Sequence, residues 1–154
     1  MKKSKNLFLS LAAVCAFASS AFAGGMIEVY KSPSCGCCGL WANIMKQNGF
    51  EVKEHMTEAI IELKAKNSVP LELSSCHTGV IDGYVVEGHV PAEDIKELLA
   101  KKPADVVGIS VPGMPLGSPG MEQGGIVEDY DVIAFKKDGS YEIFSRYKNG
   151  KRFK

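Results

Sequence analysis

Three cysteines fall within four residues, Cys35-Gly36-Cys37-Cys38, between the alternating apolar run Ile27-Glu28-Val29-Tyr30 and an amphipathic run that begins at Gly39. Ser32-Pro33-Ser34 ends the first run, so a strand hands over to a helix within a few residues. Leu40, Trp41, Ile44 and Met45 then form a helical stripe that stops at Gly49. The thiols therefore sit at a helix N-terminus, where unpaired backbone N–H groups and the helix dipole favour an anion and hence thiolate. A thiolate cluster in such a place suits redox chemistry or a soft metal ion.

The remaining punctuation supplies the order of elements. Phe50-Glu51-Val52 resumes a strand pattern, and Ile60, Ile61 and Leu63 between Glu58 and Lys66 predict a second helix. Val80-Ile81 and Tyr84-Val85-Val86, joined by Asp82-Gly83, read as a tight hairpin. Pro91 at a first helical position, with acidic Glu93 and Asp94 after it and Ile95, Leu98 and Leu99 on one face, starts a third helix. This βαβα-ββα order is that of a thioredoxin-like core, an α/β mixed central sheet with flanking helices, and Cys35-x-x-Cys38 stands at its first strand-to-helix junction. In that fold a cis-proline usually precedes the third strand. Here Cys76-His77 occupies about that place, which turns Cys76 toward the other thiols; Pro70 is the competing candidate for the cis-proline.

Residues 108–125 are dense in glycine and proline and are expected to form a loop, neither helix nor central strand. Met114 and Met121 lie in it, and a thioether is a soft donor suited to Cu(I), although methionine also packs as an ordinary apolar side chain. The chain closes with an expected hairpin, Val132 to Phe135 and Tyr141 to Phe144, and a basic tail from Lys148 to Lys154 that reads as a solvated end. His77 follows Cys76 directly, and neighbours on an extended chain point to opposite sides, so it reads as support behind a ligand more than as a ligand; His89, in Gly88-His89-Val90-Pro91 at a strand end, is a candidate for either role. His55, at the end of an expected strand, reads as solvated or hydrogen-bonded.

Lys2, Lys3 and Lys5 precede the apolar stretch from Leu7 to Phe17 and the small-residue site Ala21-Phe22-Ala23, the form of a secretory signal. The apolar run is shorter than the roughly 20 residues of a spanning helix. Residues 1–23 are therefore read as a signal peptide cleaved after Ala23, which removes Cys15, and residues 24–154 as one domain exported to the periplasm. The whole chain carries 18 basic and 18 acidic residues. That balance gives no ground for a nucleic-acid or anionic-membrane partner.

Cys35, Cys37, Cys38 and Cys76 remain, in a compartment where disulfides persist. Two purely structural disulfides would close very small loops among the first three, where entropic stabilisation is least. A single tetrahedral zinc ion is the main metal alternative, but adjacent cysteines wrap one ion poorly, and structural zinc sites use well-spaced pairs. A thiol–disulfide oxidoreductase with Cys35 attacking and Cys38 resolving is the other reading. Four convergent thiolates select Cu(I), and their mutual repulsion favours more than one ion. No phosphate loop or nucleotide fingerprint points to other catalysis.

Ser34-Cys35-Gly36-Cys37-Cys38, Ser75-Cys76-His77-Thr78, Glu87-Gly88-His89-Val90-Pro91-Ala92 and Val111-Pro112-Gly113-Met114-Pro115-Leu116-Gly117-Ser118-Pro119-Gly120-Met121-Glu122 together resemble the CopG-type family of periplasmic, thioredoxin-like copper-resistance proteins. The resemblance runs over residues 26–147. It implies copper held by Cys35, Cys37, Cys38 and Cys76 as a multinuclear Cu(I)–thiolate cluster, for sequestration, transfer or Cu(I)/Cu(II) conversion, with copper-export or copper-handling proteins as partners.

Overall fold

The computed structural model describes residues 24–154; the expected signal peptide, its cleavage site and Cys15 lie outside the described residues. In chain order the elements are β1 (Gly24–Lys31), α1 (Gly36–Gln47), β2 (Phe50–Met56), α2 (Ile60–Lys66), a 3-10 turn at Leu71–Leu73, β3 (His77–Ile81), β4 (Tyr84–Glu87), α3 (Ala92–Lys101), β5 (Val106–Ser110), β6 (Tyr130–Lys136), β7 (Tyr141–Lys148) and β8 (Lys151–Arg152). All strands belong to one mixed sheet in the order β2-β1-β3-β4-β5-β6-β7-β8. β1 runs parallel to β2, and β4 to β5; the other neighbours are antiparallel. The class is α/β, a mixed sheet with flanking helices.

Of the α1 stripe, Trp41 and Met45 are buried in one core with Ile27 and Val29 of β1 and Ile44 packs partly against it, whereas Leu40 is exposed. Trp41 satisfies its indole N–H on the Val90 carbonyl at 2.8 Å, so the largest side chain of the core carries no unpaired donor. Ile95, Leu98 and Leu99 of α3 extend the same core, and Val69, Leu73, Val85 and Phe135 form a second cluster. The hairpin turn has Asp82 at φ 49° and Gly83 at φ 82°, the paired positive values that a two-residue hairpin loop needs.

Four expectations are corrected. The segment 108–125 is not wholly loop, because Gly108, Ile109 and Ser110 complete β5, an interior strand between β4 and β6. A side chain at Gly108 would place its Cβ 2.2 Å from the Val85 carbonyl oxygen, so glycine is what lets these strands meet. Every described peptide bond is trans, so Pro70 is not a cis-proline. Pro91 caps α3 with extended backbone, φ −63° and ψ 144°, and helical geometry begins at Ala92. The basic tail is not a free end. Lys151–Arg152 pairs with β7, and the Arg152 guanidinium reaches Asp94 at 3.1 Å and Glu97 at 2.6 Å on α3. Among the described residues no helix is long and apolar enough to cross a membrane.

Candidate metal centre

Cys35 is the N-cap of α1, while Cys37 and Cys38 lie in its first turn, one turn earlier than the apolar stripe alone marks. Cys76 precedes β3, which pairs with β1, so the loop before β3 comes to rest beside the turn after β1. The result is the convergence expected from the order of elements. Cys37 Sγ lies 3.7 Å from Cys35 Sγ and 4.0 Å from Cys76 Sγ, and Cys38 Sγ lies 3.5 Å from Cys76 Sγ. All four sulfurs fall within 4.8 Å of one another. Cys35 and Cys38 are joined as a disulfide, with Cα atoms 5.5 Å apart, and Cys37 and Cys76 are free thiols.

The histidines take up positions that sequence adjacency argued against for one of them. His77 is fully buried, yet its Nδ1 lies 3.3 Å from Cys76 Sγ, and its ring packs against Trp41. His89, also fully buried, brings Nε2 to 3.0 Å from the same sulfur. Its Nδ1 donates to the Pro119 carbonyl at 2.8 Å, which leaves the Nε2 lone pair toward Cys76. Burial, reinforced for His77 by the neighbouring His89, holds both imidazoles below their ordinary pKa and therefore neutral. Burial, with Cys37 alongside, pushes the Cys76 thiol up to about 12. A free Cys76 is thus a thiol at neutral pH, and a bound cation would have to displace its proton.

The glycine- and proline-rich segment closes one side of the site. Gly120 has φ 85°, and a Cβ there would lie 2.8 Å from the Trp41 nitrogen and 3.0 Å from the Cys37 carbonyl oxygen, so the backbone lies directly on the first turn of α1. The loop is held by its own bonds: Gly117 N–H donates to Met121 O at 3.0 Å, and Leu116 N–H to the Glu128 carboxylate at 2.6 Å. Met121 is buried within it and Met114 is half exposed. His55 stays apart, stacked on Tyr30 at 4.7 Å.

Glu87 and Lys64 are residues that sequence reasoning missed. Glu87, fully buried, accepts the Ser75 N–H at 2.7 Å and the Thr78 hydroxyl at 2.7 Å, and it pairs with the buried ammonium of Lys64. Gly113 N–H donates to Ser74 O at 3.1 Å, and the Ser75 hydroxyl donates to Gly113 O. The Cys76 loop is therefore tied at both Ser74 and Ser75. The only hint in the sequence was a carboxylate directly after the apolar run Tyr84 to Val86. Beside Cys76 a groove of about 410 Å³ opens, walled by Ile61, Leu71 and Lys64.

Residues 73–121 match the model of the family described as "Protein of unknown function, DUF411". Two solved structures, named copper resistance protein CopG, forms 2 and 1, are similar to the chain. Form 2 is 44% identical, with TM-score 0.76, covering 80% of this chain and 98% of its own. Form 1 is 44% identical, with TM-score 0.75, covering 79% of this chain and 96% of its own. No curated protein matches the chain.

Proposed function

The chain belongs to the CopG family of copper resistance proteins, and from that premise we propose that it binds copper as Cu(I) through the thiolates of Cys35, Cys37, Cys38 and Cys76. The observation that carries this reading is the placement of four sulfur donors within 4.8 Å of one another. An all-sulfur set is soft and selects Cu(I). Because Cu(I) needs only two or three donors, bridging sulfurs accommodate several ions and offset the charge of four thiolates. The cargo is held for sequestration, transfer or Cu(I)/Cu(II) conversion. In this reading residues 24–154 act as one thioredoxin-like domain, delivered to the periplasm after cleavage at Ala23.

The chain's own residues prepare the site. Cys35 caps α1, and Cys37 and Cys38 lie in its first turn, so one helix end carries three of the four sulfurs. Glu87 and Gly113 hold the Cys76 loop in place, so the fourth sulfur needs little reorganisation. Because Cys35 and Cys38 are joined, an external dithiol must first open that disulfide by exchange, giving up two electrons and two protons to form the two thiols and leaving as its own disulfide. An anaerobic Cu(I) titration of fully reduced protein, followed by thiolate-to-copper charge transfer and native mass, tests the reading. Binding no tighter than that of a variant with all four cysteines changed to serine overturns it.

The disulfide itself favours a second reading, a thiol–disulfide oxidoreductase using Cys35 and Cys38. Turnover of a disulfide substrate that disappears in Cys35→Ser is its signature. Background turnover in a protein that binds Cu(I) tightly counts against it.

A further inference from the structure

Cys76 faces two kinds of neighbour. On one side are the sulfurs of α1; on the other are the imidazoles of His77 and His89, at 3.3 and 3.0 Å. Both rings are fully buried, an unusual place for two polar side chains; His89 Nδ1 donates to Pro119 O, and the Gly88 backbone lies beside the His77 ring. His77 Nε2 is buried without a hydrogen-bond partner. Packing alone does not call for two imidazoles at this position, because an apolar side chain of similar size would bury no unpaired nitrogen.

We infer that Cys76, His77 and His89 form a second metal site, one that takes a borderline divalent ion and remains complete when Cys35 and Cys38 are joined as a disulfide. The inference rests on the thiolate reading in one respect, the use of Cys76 as a shared donor. The three donor atoms lie within 4.8 Å of one another. In a tetrahedral site with metal–sulfur about 2.3 Å and metal–nitrogen about 2.0 Å, sulfur and nitrogen donors stand about 3.5 Å apart. The observed separations are within about half an ångström of that spacing, so an ion could enter with small side-chain movements. The orientation is also prepared: a histidine that donates its far nitrogen to a backbone carbonyl and turns the near one inward is the usual arrangement behind a metal-bound imidazole.

Donor chemistry separates the two sites. Joining Cys35 to Cys38 halves the sulfur set, leaving Cys37 and Cys76. The set of one sulfur and two imidazole nitrogens is untouched by that bond. Imidazole with a single thiolate suits Zn(II) and Cu(II), with Cu(II) the tighter of the two in the general affinity order. The same loop would thus serve a soft monovalent ion when the dithiol is reduced and a borderline divalent ion when it is oxidised.

Co(II) is the probe, because it reports tetrahedral thiolate ligation by colour without oxidising a free thiol. Titrated into the disulfide form, it should bind at one equivalent, with sulfur-to-cobalt charge transfer and intense ligand-field bands. Both signals should be lost in Cys76→Ser, and His77→Ala and His89→Ala should each weaken binding at least tenfold. Unchanged binding in the two histidine variants, or no binding to the disulfide form, overturns the inference. Should the variants fold poorly, X-ray absorption of the Zn(II)-loaded native chain decides: nitrogen neighbours with imidazole scattering sustain the site, and a sulfur-only shell refutes it. Cu(I) titration of the reduced chain runs in parallel. Loss of Cu(I) binding with the Co(II) signature intact removes the thiolate reading alone, and the reverse removes only this inference.

Discussion

Cys38 Sγ lies 3.5 Å from Cys76 Sγ across a sequence separation of 38 residues. Cys38 is at the same time bonded to Cys35, so the sulfur nearest the distal cysteine is the one already oxidised. The redox state of one pair therefore controls how many donors the cluster offers. Thiol titration of residues 24–154 in denaturant is expected to find two thiols before reduction and four after. Cu(I) capacity should rise with that step, and a reduced protein that takes up no more Cu(I) than the oxidised one would contradict the linkage.

Glu87 is expected to matter more than its distance from the sulfurs suggests. Removing one partner of a buried ion pair typically costs about 3–5 kcal/mol, because the other charge is left unpaired. Glu87→Ala should lower stability by about that amount in urea unfolding, with Lys64 Nζ losing its counter-charge and keeping only the Thr78 hydroxyl, and with the Ser75 N–H released. Lys64→Met combined with Glu87→Gln should recover part of the loss. The doubly changed chain should still bind Cu(I) more weakly than native, since a neutral amide is a poorer acceptor for the Ser75 N–H.

Gly120→Ala tests the cover over the site. The position has φ 85°, and the added methyl would sit 2.8 Å from the Trp41 nitrogen, so the loop must lift from α1. A positive-φ residue of this kind costs about 1–3 kcal/mol. Limited proteolysis is expected to cut the 111–125 segment faster in the variant, and exposure of Cys37 to alkylating reagents should increase. Unchanged cleavage would show that the loop does not depend on this contact.

Asp94 should leave a mark on the pH dependence of stability. Burial holds its carboxyl above the ordinary value near 3.8, against the lowering effects of Ser145, Tyr147 and Arg152. A folded-state pKa raised above the unfolded one means that the native state keeps its proton longer. The contribution is fully present below the unfolded value and declines as pH rises from there through the folded value. Asp94→Asn stays neutral throughout. Native stability relative to this variant is therefore expected to fall as pH rises above about 3.8 and then level off; a difference that grows with pH would reverse the assignment.

Local pattern was enough to read the strand-to-helix turn carrying the thiols, the Asp82-Gly83 hairpin and the apolar faces of α1 and α3, because each depends on residues only a few positions apart. The convergence of Cys76 with Cys35, Cys37 and Cys38 was read from the likeness of the element order to a thioredoxin-like core, which sets the residue before the third strand against the first strand-to-helix turn. Non-local pairing decided the rest. β5 was hidden because Gly108 weakens a short strand signal, and it exists because β4 and β6 flank it closely enough to require glycine. The tail became a strand because Asp94 and Glu97 await Arg152 on α3. The expectation that His77 would point away from Cys76 assumed regular extended backbone through both residues, but Cys76 lies outside β3, whose first residue is His77, and the rule of alternation stops at that boundary. Sequence alone thus determined which sulfurs could meet; only the tertiary structure determined what surrounds Cys76, because His89 reaches it directly, with Pro119 behind that ring and Glu87 holding the neighbouring Ser75, through contacts that no spacing encodes.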